Sequence, residues 1–267
     1  MSRAGRDLRL KTNPVLANCL GKYAETAPAP VLREHFRCAW TNLLPERDVS
    51  AVAVVPDGCI DLLWRDERFL VVGPDVTAAT PPLRPGTIVL GIRFKPGAAA
   101  RWLGLSMTEI VGREIDMQDI WGQKARLIAE RMQEARSPDK QFGLLQELLG
   151  KTASSIEAPP PDAGIMFDLL REGTGHEPDG MRHLSRTLDV SERTLRRRSH
   201  DLFGYGPKTL QRILRFQNFL SSVRTCGDRG LADMAYAAGY ADQAHLSREI
   251  RSLCGMTPGE FVRQIAA

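Results

Sequence analysis

Three consecutive prolines, at positions 159 to 161, separate two parts of the chain that differ in pattern. A proline run supplies no backbone N–H donors, so neither a helix nor an inner strand continues through it. We therefore interpret residues 151–162 as a Pro-rich linker with polyproline character. The length of 267 residues also suits two ordinary domains, each able to bury a core.

The part before the linker is rich in strand-like segments. SAVAVV, CIDLLW, RFLVV and TIVLGIRF are each of strand length, and each is bounded by Pro, Gly or Asp. This pattern predicts a small barrel or sandwich within residues 31–96. Helical periodicity follows Gly97, with two longer helices over residues 122–149 that are broken near Ser137. We assign 31–150 to a β-rich domain with C-terminal helices, and 1–30 to an arm or short helix.

The part after the linker, residues 163–267, is helical in pattern throughout. The expected fold class is therefore α+β, with a mixed β-then-α domain followed by an all-α domain.

The N-terminal residues and the cysteines indicate the cellular compartment of the protein and limit its disulfide and metal chemistry. The first residues contain no apolar run of signal-peptide length, and the longest apolar stretches are too short to span a bilayer. We expect a soluble cytoplasmic protein with no membrane partner. The five cysteines form no CxxC pair, and their odd number disfavours a disulfide framework or a zinc ribbon; they are Cys19, Cys38, Cys59, Cys226 and Cys254. We expect reduced, mostly buried thiols, no metal and no cofactor.

The segment MRHLSRTLDVSERTLRRRSHDLF has the features of a helix-turn-helix unit. Leu184 and Leu188 share one face of a first helix, and Asp189 tolerates the left-handed conformation that a tight turn needs. Ser191 is a natural N-cap for a second helix, whose inner face carries Leu195 and Leu202. Its outer face carries three arginines three and four residues apart; they are Arg193, Arg196 and Arg197.

A degenerate copy of this pattern follows about fifty residues later. In LADMAYAAGYADQAHLSREIRSLCG, Met234 and Ala235 belong to the inner face of a first helix. Gly239 occupies the turn, where the missing Cβ removes the penalty for positive φ. Asp242 is the expected N-cap of a second outer helix, with Leu246 and Ile250 facing inward.

A long helix is predicted between the two units. PKTLQRILRFQNFLSSVRT begins with the helix-initiating Pro207. About 18 residues at about 1.5 Å each span roughly 27 Å. Such a helix can hold two recognition helices about one DNA turn, roughly 34 Å, apart.

These motifs resemble the DNA-binding domain of the AraC/XylS transcription regulators over roughly residues 165 to 265. The second unit shows the family signature, an alanine-rich helix, Gly-aromatic, a polar start, Leu-x-Arg and a final Pro; it is carried by Ala235, Gly239-Tyr240, Asp242-Gln243, Leu246-Ser247-Arg248 and Thr257-Pro258. The link GYGPKTLQRILRFQ also matches. Two positions depart from the family pattern, since Asp189 replaces the usual turn glycine and Ser199 replaces a core Phe.

The resemblance implies base contacts from the outer faces of both recognition helices. Arginine can bind guanine O6 and N7, and glutamine can bind adenine N6 and N7, in bidentate fashion. The implied base readers are Arg193, Arg196, Arg197, Gln243, Ala244, Ser247 and Arg248. The candidates for phosphate contacts, which position the protein without reading sequence, are Lys208, Arg212, Arg215 and Arg251.

Two of these assignments have alternatives. Any single arginine can be a solvated surface charge. Arg248 can instead brace its own unit through a salt bridge, with Asp233 as the partner in this chain.

The N-terminal block resembles sensor-type domains that precede this DNA-binding domain, which in many family members are cupin-like. Its aromatic and polar side chains are of the kinds that line small-molecule sites, although tryptophans more often fill cores. The candidate ligand-binding residues are Trp40, Asp57, Asp61, Trp64, Arg93 and Trp102.

Enzymatic readings find little support in the residues. Only His35 precedes residue 176, so a histidine-rich metal site cannot be built. P-loop, GxSxG and GxGxxG motifs do not occur. Two alternatives remain. One is a soft-metal or oxidant sensor made of His35, Cys38, Cys59 and Asp61, and the other is a DNA-tethered enzyme that uses a reactive cysteine of low pKa.

The sequence therefore predicts a regulator that binds double-stranded DNA and is controlled by a small molecule in its N-terminal domain. The alternative is a constitutive DNA-binding protein whose N-terminal domain only dimerises. RNA polymerase and a second copy of the chain are further candidate partners, and an activator is one candidate role. The sequence does not reveal the operator, the effector, the oligomeric state, or whether the protein activates or represses.

Overall fold

The computed structural model describes residues 15–17, 20–47, 52–172, 180–225 and 230–265. The first fourteen residues of the expected arm lie outside this range, as do Cys19, Cys226 and the start of the SAVAVV segment. Among the described helices, none is both long enough and apolar enough to cross a membrane.

The N-terminal part is built on an antiparallel sheet of six strands in the order β2-β3-β7-β5-β6-β8. A separate two-stranded parallel pair joins β1 and β4. The strands are β1 Val15–Leu16, β2 Lys22–Thr26, β3 Phe36–Leu43, β4 Val52–Ala53, β5 Asp61–Arg65, β6 Arg68–Val72, β7 Ile88–Phe94 and β8 Glu114–Asp116.

One helix, α1, lies between β7 and β8 in the chain, and the other α-helices follow β8; short 3-10 turns occur at Pro30–Leu32 and Met107–Glu109. They are α1 Ala98–Leu103, α2 Met117–Trp121, α3 Gln123–Glu134, α4 Pro138–Ala153, α5 Pro161–Glu172, α6 Gly180–Thr187, α7 Glu192–Phe203, α8 Pro207–Thr225, α9 Leu231–Ala237, α10 Gln243–Cys254 and α11 Pro258–Ile265. The chain thus has the α+β architecture that the sequence predicts, with a β-rich part followed by a helical part.

Local sequence signals explain several of these boundaries. The predicted break between the two longer helices occurs where Ser137 caps α4, accepting a hydrogen bond from the backbone N–H of Lys140, and where Pro138 opens the helix. Residues 22–26, which the sequence places in an arm or short helix, instead form β2 at the edge of the sheet. Because all five side chains of β2 are exposed, the strand has no alternating pattern that would reveal it.

The two faces of the sheet are covered differently. One face packs against α1 to α4 in a core that includes Leu62, Trp64, Ile92 and Trp102. The helices of residues 122–149 therefore pack on the sheet of their own domain. The opposite face carries a smaller cluster around Leu63, Leu70 and Val89, with Trp40 packed against it.

The helical part has its own core, which extends across the expected domain boundary. Near its centre the ring of Phe219 stacks on those of Phe216 and Phe261. Leu16, Ala53 and Val55 of the N-terminal part are buried in the same cluster. The segment between α4 and α5, residues 154–160, has no regular secondary structure.

Candidate functional site

The first helix-turn-helix unit consists of α6 and α7. Leu184 and Leu195 are each 1% exposed and hold the two helices together. Asp189 adopts a φ of +49° in the turn between them, the left-handed conformation that the sequence predicts for this aspartate. Ser191 caps α7, since its hydroxyl accepts a hydrogen bond of 3.2 Å from the backbone N–H of Thr194.

The second unit, α9 and α10, is built in the same way. Gly239 has a φ of +83° and makes the turn. Asp242 caps the start of α10, since its carboxylate accepts a hydrogen bond of 2.6 Å from the backbone N–H of His245. Met234, Ala235 and Leu246 are buried between the helices, as the spacing predicts.

The predicted base-reading residues occupy the outer faces of α7 and α10. Exposed side chains in this set are Arg193, Arg196, Arg197, Gln243, Ala244 and Arg248. Ser247 is half-buried, and its hydroxyl donates to the backbone carbonyl of Gln243 at 2.7 Å. No ion pair joins Arg248 to Asp233, two residues that the structure describes, so the internal-brace alternative finds no support in the geometry.

The predicted phosphate contacts divide into two pairs. Lys208 and Arg251 are exposed. Arg212 is engaged inside the domain, since its Nε lies 2.9 and 2.8 Å from the two carboxylate oxygens of Glu249 on α10. The guanidinium of Arg215 lies over the Tyr240 ring, 4.8 Å from its centroid. These contacts join the linker helix α8 to the second unit.

Four of the six predicted ligand residues meet on the side of the sheet away from its helices. Nη2 of Arg93 lies 3.0 Å from Oδ2 of Asp57 and 3.0 Å from Oδ2 of Asp61. The indole Nε1 of Trp40 lies 3.4 Å from Oδ1 of Asp61. We call Asp57, Asp61 and Arg93 the sheet cluster. Its single cation is shared by two carboxylates, which raise the pKa of Arg93 although burial opposes its charged form.

The other two predicted ligand residues lie elsewhere. Trp64 and Trp102 are each 3% exposed and belong to the core under the helices, on the opposite face of the sheet. The alternation of side chains in β5 explains part of this result, because Asp61 and Trp64 are three residues apart and point to opposite faces.

The cysteines and His35 do not form the alternative sensor site. Within the described parts of the chain, no group of three or more His, Cys, Asp or Glu side chains is arranged to hold a metal ion. His35 packs edge-on against Trp102, and burial lowers its pKa. Burial raises the pKa of Cys38 to about 11 and also raises that of Cys59. A reactive cysteine needs the opposite shift.

A small cavity lies where the two parts of the chain meet. Its volume is about 20 Å³, room for about one water molecule. Phe167, Leu202 and Phe203 of the helical part line one side, and Gly58, Cys59 and Phe94 of the N-terminal part line the other.

Comparison with known proteins finds two domain models, each of which matches one part of the chain. Residues 184–264 match the model of a helix-turn-helix domain, and residues 24–116 match a domain of unknown function (DUF6597). Residues 184–264 of the helical part are therefore a helix-turn-helix domain. The chain joins this domain to an N-terminal DUF6597 domain.

Solved structures similar to the chain include ToxT of Vibrio cholerae. An apo variant of ToxT from strain SCE256 has 12% sequence identity and a TM-score of 0.48, with 85% of this chain and 97% of that chain covered. ToxT from strain O395 has 11% identity and a TM-score of 0.46, with coverage of 92% and 97%. Unsaturated fatty acid bound ToxT has 11% identity and a TM-score of 0.40, with coverage of 77% and 83%. No curated protein matches the chain.

Proposed function

We propose that the protein is a sequence-specific transcription regulator that reads a bipartite DNA site with α7 and α10. One observation carries this proposal. The two outer helices, α7 and α10, each begin at a capping side chain and expose a polar face, and a single continuous helix connects their two units. This linker helix, α8, has 19 residues and is therefore roughly 28 Å long. That length is close to the roughly 34 Å between successive major grooves on one face of a duplex.

Two sets of residues have distinct roles in this proposal. Arg193, Arg196, Arg197, Gln243 and Arg248 read base edges, with Ala244 and Ser247 beside them. Lys208 and Arg251, which are exposed, contact phosphates. The guanidinium groups of Arg212 and Arg215 are already occupied within the domain: Arg212 holds α10 against α8 through Glu249, and Arg215 holds the turn before α10 through Tyr240.

Retention of genomic DNA tests the proposal. Sheared genomic DNA is passed over the purified protein at about 0.15 M salt, and the retained fragments are sequenced. We expect a few loci that share a bipartite motif about two helical turns long. A variant with Arg193, Arg196 and Arg197 changed to Ala should lose this enrichment.

The matched control removes the same charge elsewhere. Arg126, Arg131 and Arg136 are exposed in the N-terminal domain, and changing these three to Ala should leave the enriched loci unchanged. Equal loss in the two variants, or uniform retention of all fragments by the wild type, would contradict sequence-specific recognition.

We further propose that a small molecule controls the protein through the sheet cluster. Two carboxylates and one guanidinium leave a net charge of −1, because the nearby thiols of Cys38 and Cys59 are held protonated. Trp40 and Tyr23, whose ring centroids are 5.7 Å apart, lie on the same side. Excess negative charge beside aromatic rings favours a ligand with a cationic or hydrogen-bond-donating group.

A thermal-shift panel separates this proposal from the alternative of a constitutive regulator whose N-terminal domain only dimerises. A diamine, an amino sugar and carboxylates of matching size are the probes. We expect the cationic compounds to raise the Tm of the wild type and to have no effect on Asp61→Asn. If no compound changes the Tm or the DNA affinity, and sedimentation shows a dimer, the constitutive reading holds.

A further inference from the structure

The N-terminal domain contacts the first helix-turn-helix unit near the C-terminal end of α7. Oγ of Ser106 donates a hydrogen bond of 3.4 Å to Oδ1 of Asp201. Directly after α7, Gly204 has a φ of +83°. A Cβ there would lie 2.6 Å from Cγ2 of Val111 and 2.8 Å from Cγ of Pro74, so the two domains meet without a gap at this glycine.

A second contact is made with the linker helix by three consecutive residues, Pro56, Asp57 and Gly58, which we call the 56–58 turn. The carbonyl of Pro56 accepts a hydrogen bond of 2.6 Å from Nε2 of Gln217 on α8. A Cβ on Gly58 would lie 3.2 Å from Leu210 and 3.5 Å from Leu214, so the turn rests on the same helix.

The sheet holds the 56–58 turn from its other side. Oδ2 of Asp57 pairs with Arg93 of β7 at 3.0 Å. Oδ1 of the same carboxylate accepts a hydrogen bond of 2.9 Å from the backbone N–H of Cys59, which shapes the turn. Asp57 is therefore bonded to the sheet, while its neighbours on either side contact α8.

A third set of contacts reaches the second unit. The backbone N–H of Ala78 donates to the carbonyl of Leu253 in the last turn of α10 at 2.6 Å. The backbone N–H of Leu16 donates to Oε1 of Gln264 on α11 at 2.9 Å. Terminal carbonyls of a helix have no partner within it, so the bond from Ala78 also completes the end of α10.

None of these contacts involves a residue that is proposed to read DNA. Arg193, Arg197 and Gln243, near the N-terminal ends of α7 and α10, stay exposed. The N-terminal domain thus contacts the two units and their linker helix while leaving these side chains uncovered.

We propose that the N-terminal domain is a brace that sets the spacing between the two helix-turn-helix units, with Asp57 and Gln217 as positioning residues for recognition of a two-part site. This inference rests on the proposed function. One base pair more or less between half-sites moves them by about 3.4 Å and turns them by about 35°. A braced pair of units tolerates one spacing, whereas a pair joined by the linker alone can follow such a change.

The test is a comparison of operator spacings. Affinities of the full-length protein are measured for a retained bipartite site and for versions with one base pair inserted or removed between the half-sites. We expect the altered spacings to lower the affinity of the wild type by about tenfold or more, within the usual range for coupling between sites. Gln217→Ala and Asp57→Ala should reduce this penalty to less than about threefold.

The matched control is the next residue of α8. Nδ2 of Asn218 donates to the backbone carbonyl of Arg171 on α5 at 2.7 Å, so Asn218→Ala removes a similar bond that does not involve the N-terminal domain. This variant should keep the wild-type spacing penalty. Asp57→Ala and Gln217→Ala act through one turn, so their combination should behave like either single variant.

The outcomes distinguish this inference from the proposed function. If the wild type retains no bipartite site, the proposed function fails. The brace is then tested by hydrogen exchange, where Gln217→Ala and Asp57→Ala, but not Asn218→Ala, should speed exchange of the Ala78 amide, which is bonded to the carbonyl of Leu253. If the wild type has a spacing penalty that both variants keep, or if they lower affinity equally at every spacing, the brace is wrong while the regulator stands.

Discussion

The hydroxyl of Ser199, which is completely buried, donates a hydrogen bond of 2.7 Å to the backbone carbonyl of Tyr205. This bond joins α7 to the short connection that leads into α8. It also gives a partner to the hydroxyl of a serine that stands where the resemblance leads us to expect a core phenylalanine. Phe203 and Phe167, whose ring centroids lie 6.2 Å apart, supply the aromatic packing from neighbouring positions.

Replacement of Ser199 by either a smaller or a larger residue should therefore lower the free energy of unfolding. Ser199→Ala leaves a carbonyl without its donor, and we expect a loss of about 1 kcal/mol in the free energy of unfolding. Ser199→Phe introduces the residue expected from the resemblance but overfills a packed site, and should lose about 1–3 kcal/mol. Urea denaturation followed by circular dichroism measures both changes. A Ser199→Phe variant more stable than the wild type would mean that the aromatic packing around Phe203 leaves room for a further ring.

Substitution of a base-reading residue and substitution of a phosphate-contacting residue should change the salt dependence of DNA binding differently. We expect Arg197→Ala and Gln243→Ala each to weaken binding to a specific site by about 1–3 kcal/mol, with little change in binding to random DNA. Lys208→Ala should weaken binding to all sequences alike and reduce the salt slope by about one. Fluorescence anisotropy over a salt series distinguishes the two patterns. Identical behaviour of all three variants on specific and random DNA would overturn these roles.

Arg212 should contribute to stability rather than to phosphate binding. Its ion pair with Glu249 is partly buried, with side-chain exposures of 31% and 13%. Arg212→Met should therefore lower the free energy of unfolding by about 1–2 kcal/mol, because it leaves the Glu249 carboxylate without its partner. The salt slope of DNA binding should stay at its wild-type value. Lys208→Met is the control, and it should reduce the salt slope while leaving the free energy of unfolding unchanged. A reduced salt slope in Arg212→Met would mean that Arg212 does contact phosphate.

Features governed by neighbours in the sequence were predictable. The turn at Gly239, the caps at Ser191 and Asp242, and the inward leucines of α7 each depend on residues within one or two helical turns. Their signals are therefore complete in a short window. The α+β order of the chain follows from the same local patterns.

Features governed by distant partners were not predictable. The sequence alone cannot show that Glu249 captures Arg212, because 37 residues separate the two partners. The same holds for the bond between Pro56 and Gln217, which are 161 residues apart. The placement of Trp64 away from the sheet cluster is a different case, since the two-residue period of β5 already puts it on the opposite face from Asp61.

Asp75 should make the stability of the protein depend on pH. Burial, with a further contribution from the Asp57 carboxylate, raises its pKa from 3.8 to about 6. Between these two values the folded protein holds a proton that the unfolded chain has released. Stability therefore falls as pH rises through this window and is lowest, for this group, above about pH 6.

The variant Asp75→Asn should remove this dependence. The full shift would correspond to about 3 kcal/mol for a group shielded from water, and we expect about 1–2 kcal/mol because Asp75 is only half-buried. We measure the free energy of unfolding by urea denaturation at about pH 4.5 and about pH 7.5. From the lower to the higher pH, the wild type should lose this amount relative to Asp75→Asn. Asp119→Asn, which changes an exposed carboxylate, is the control and should follow the wild type. If Asp75→Asn also follows the wild type at both values of pH, the carboxyl group of Asp75 releases its proton at its ordinary pKa in the folded protein.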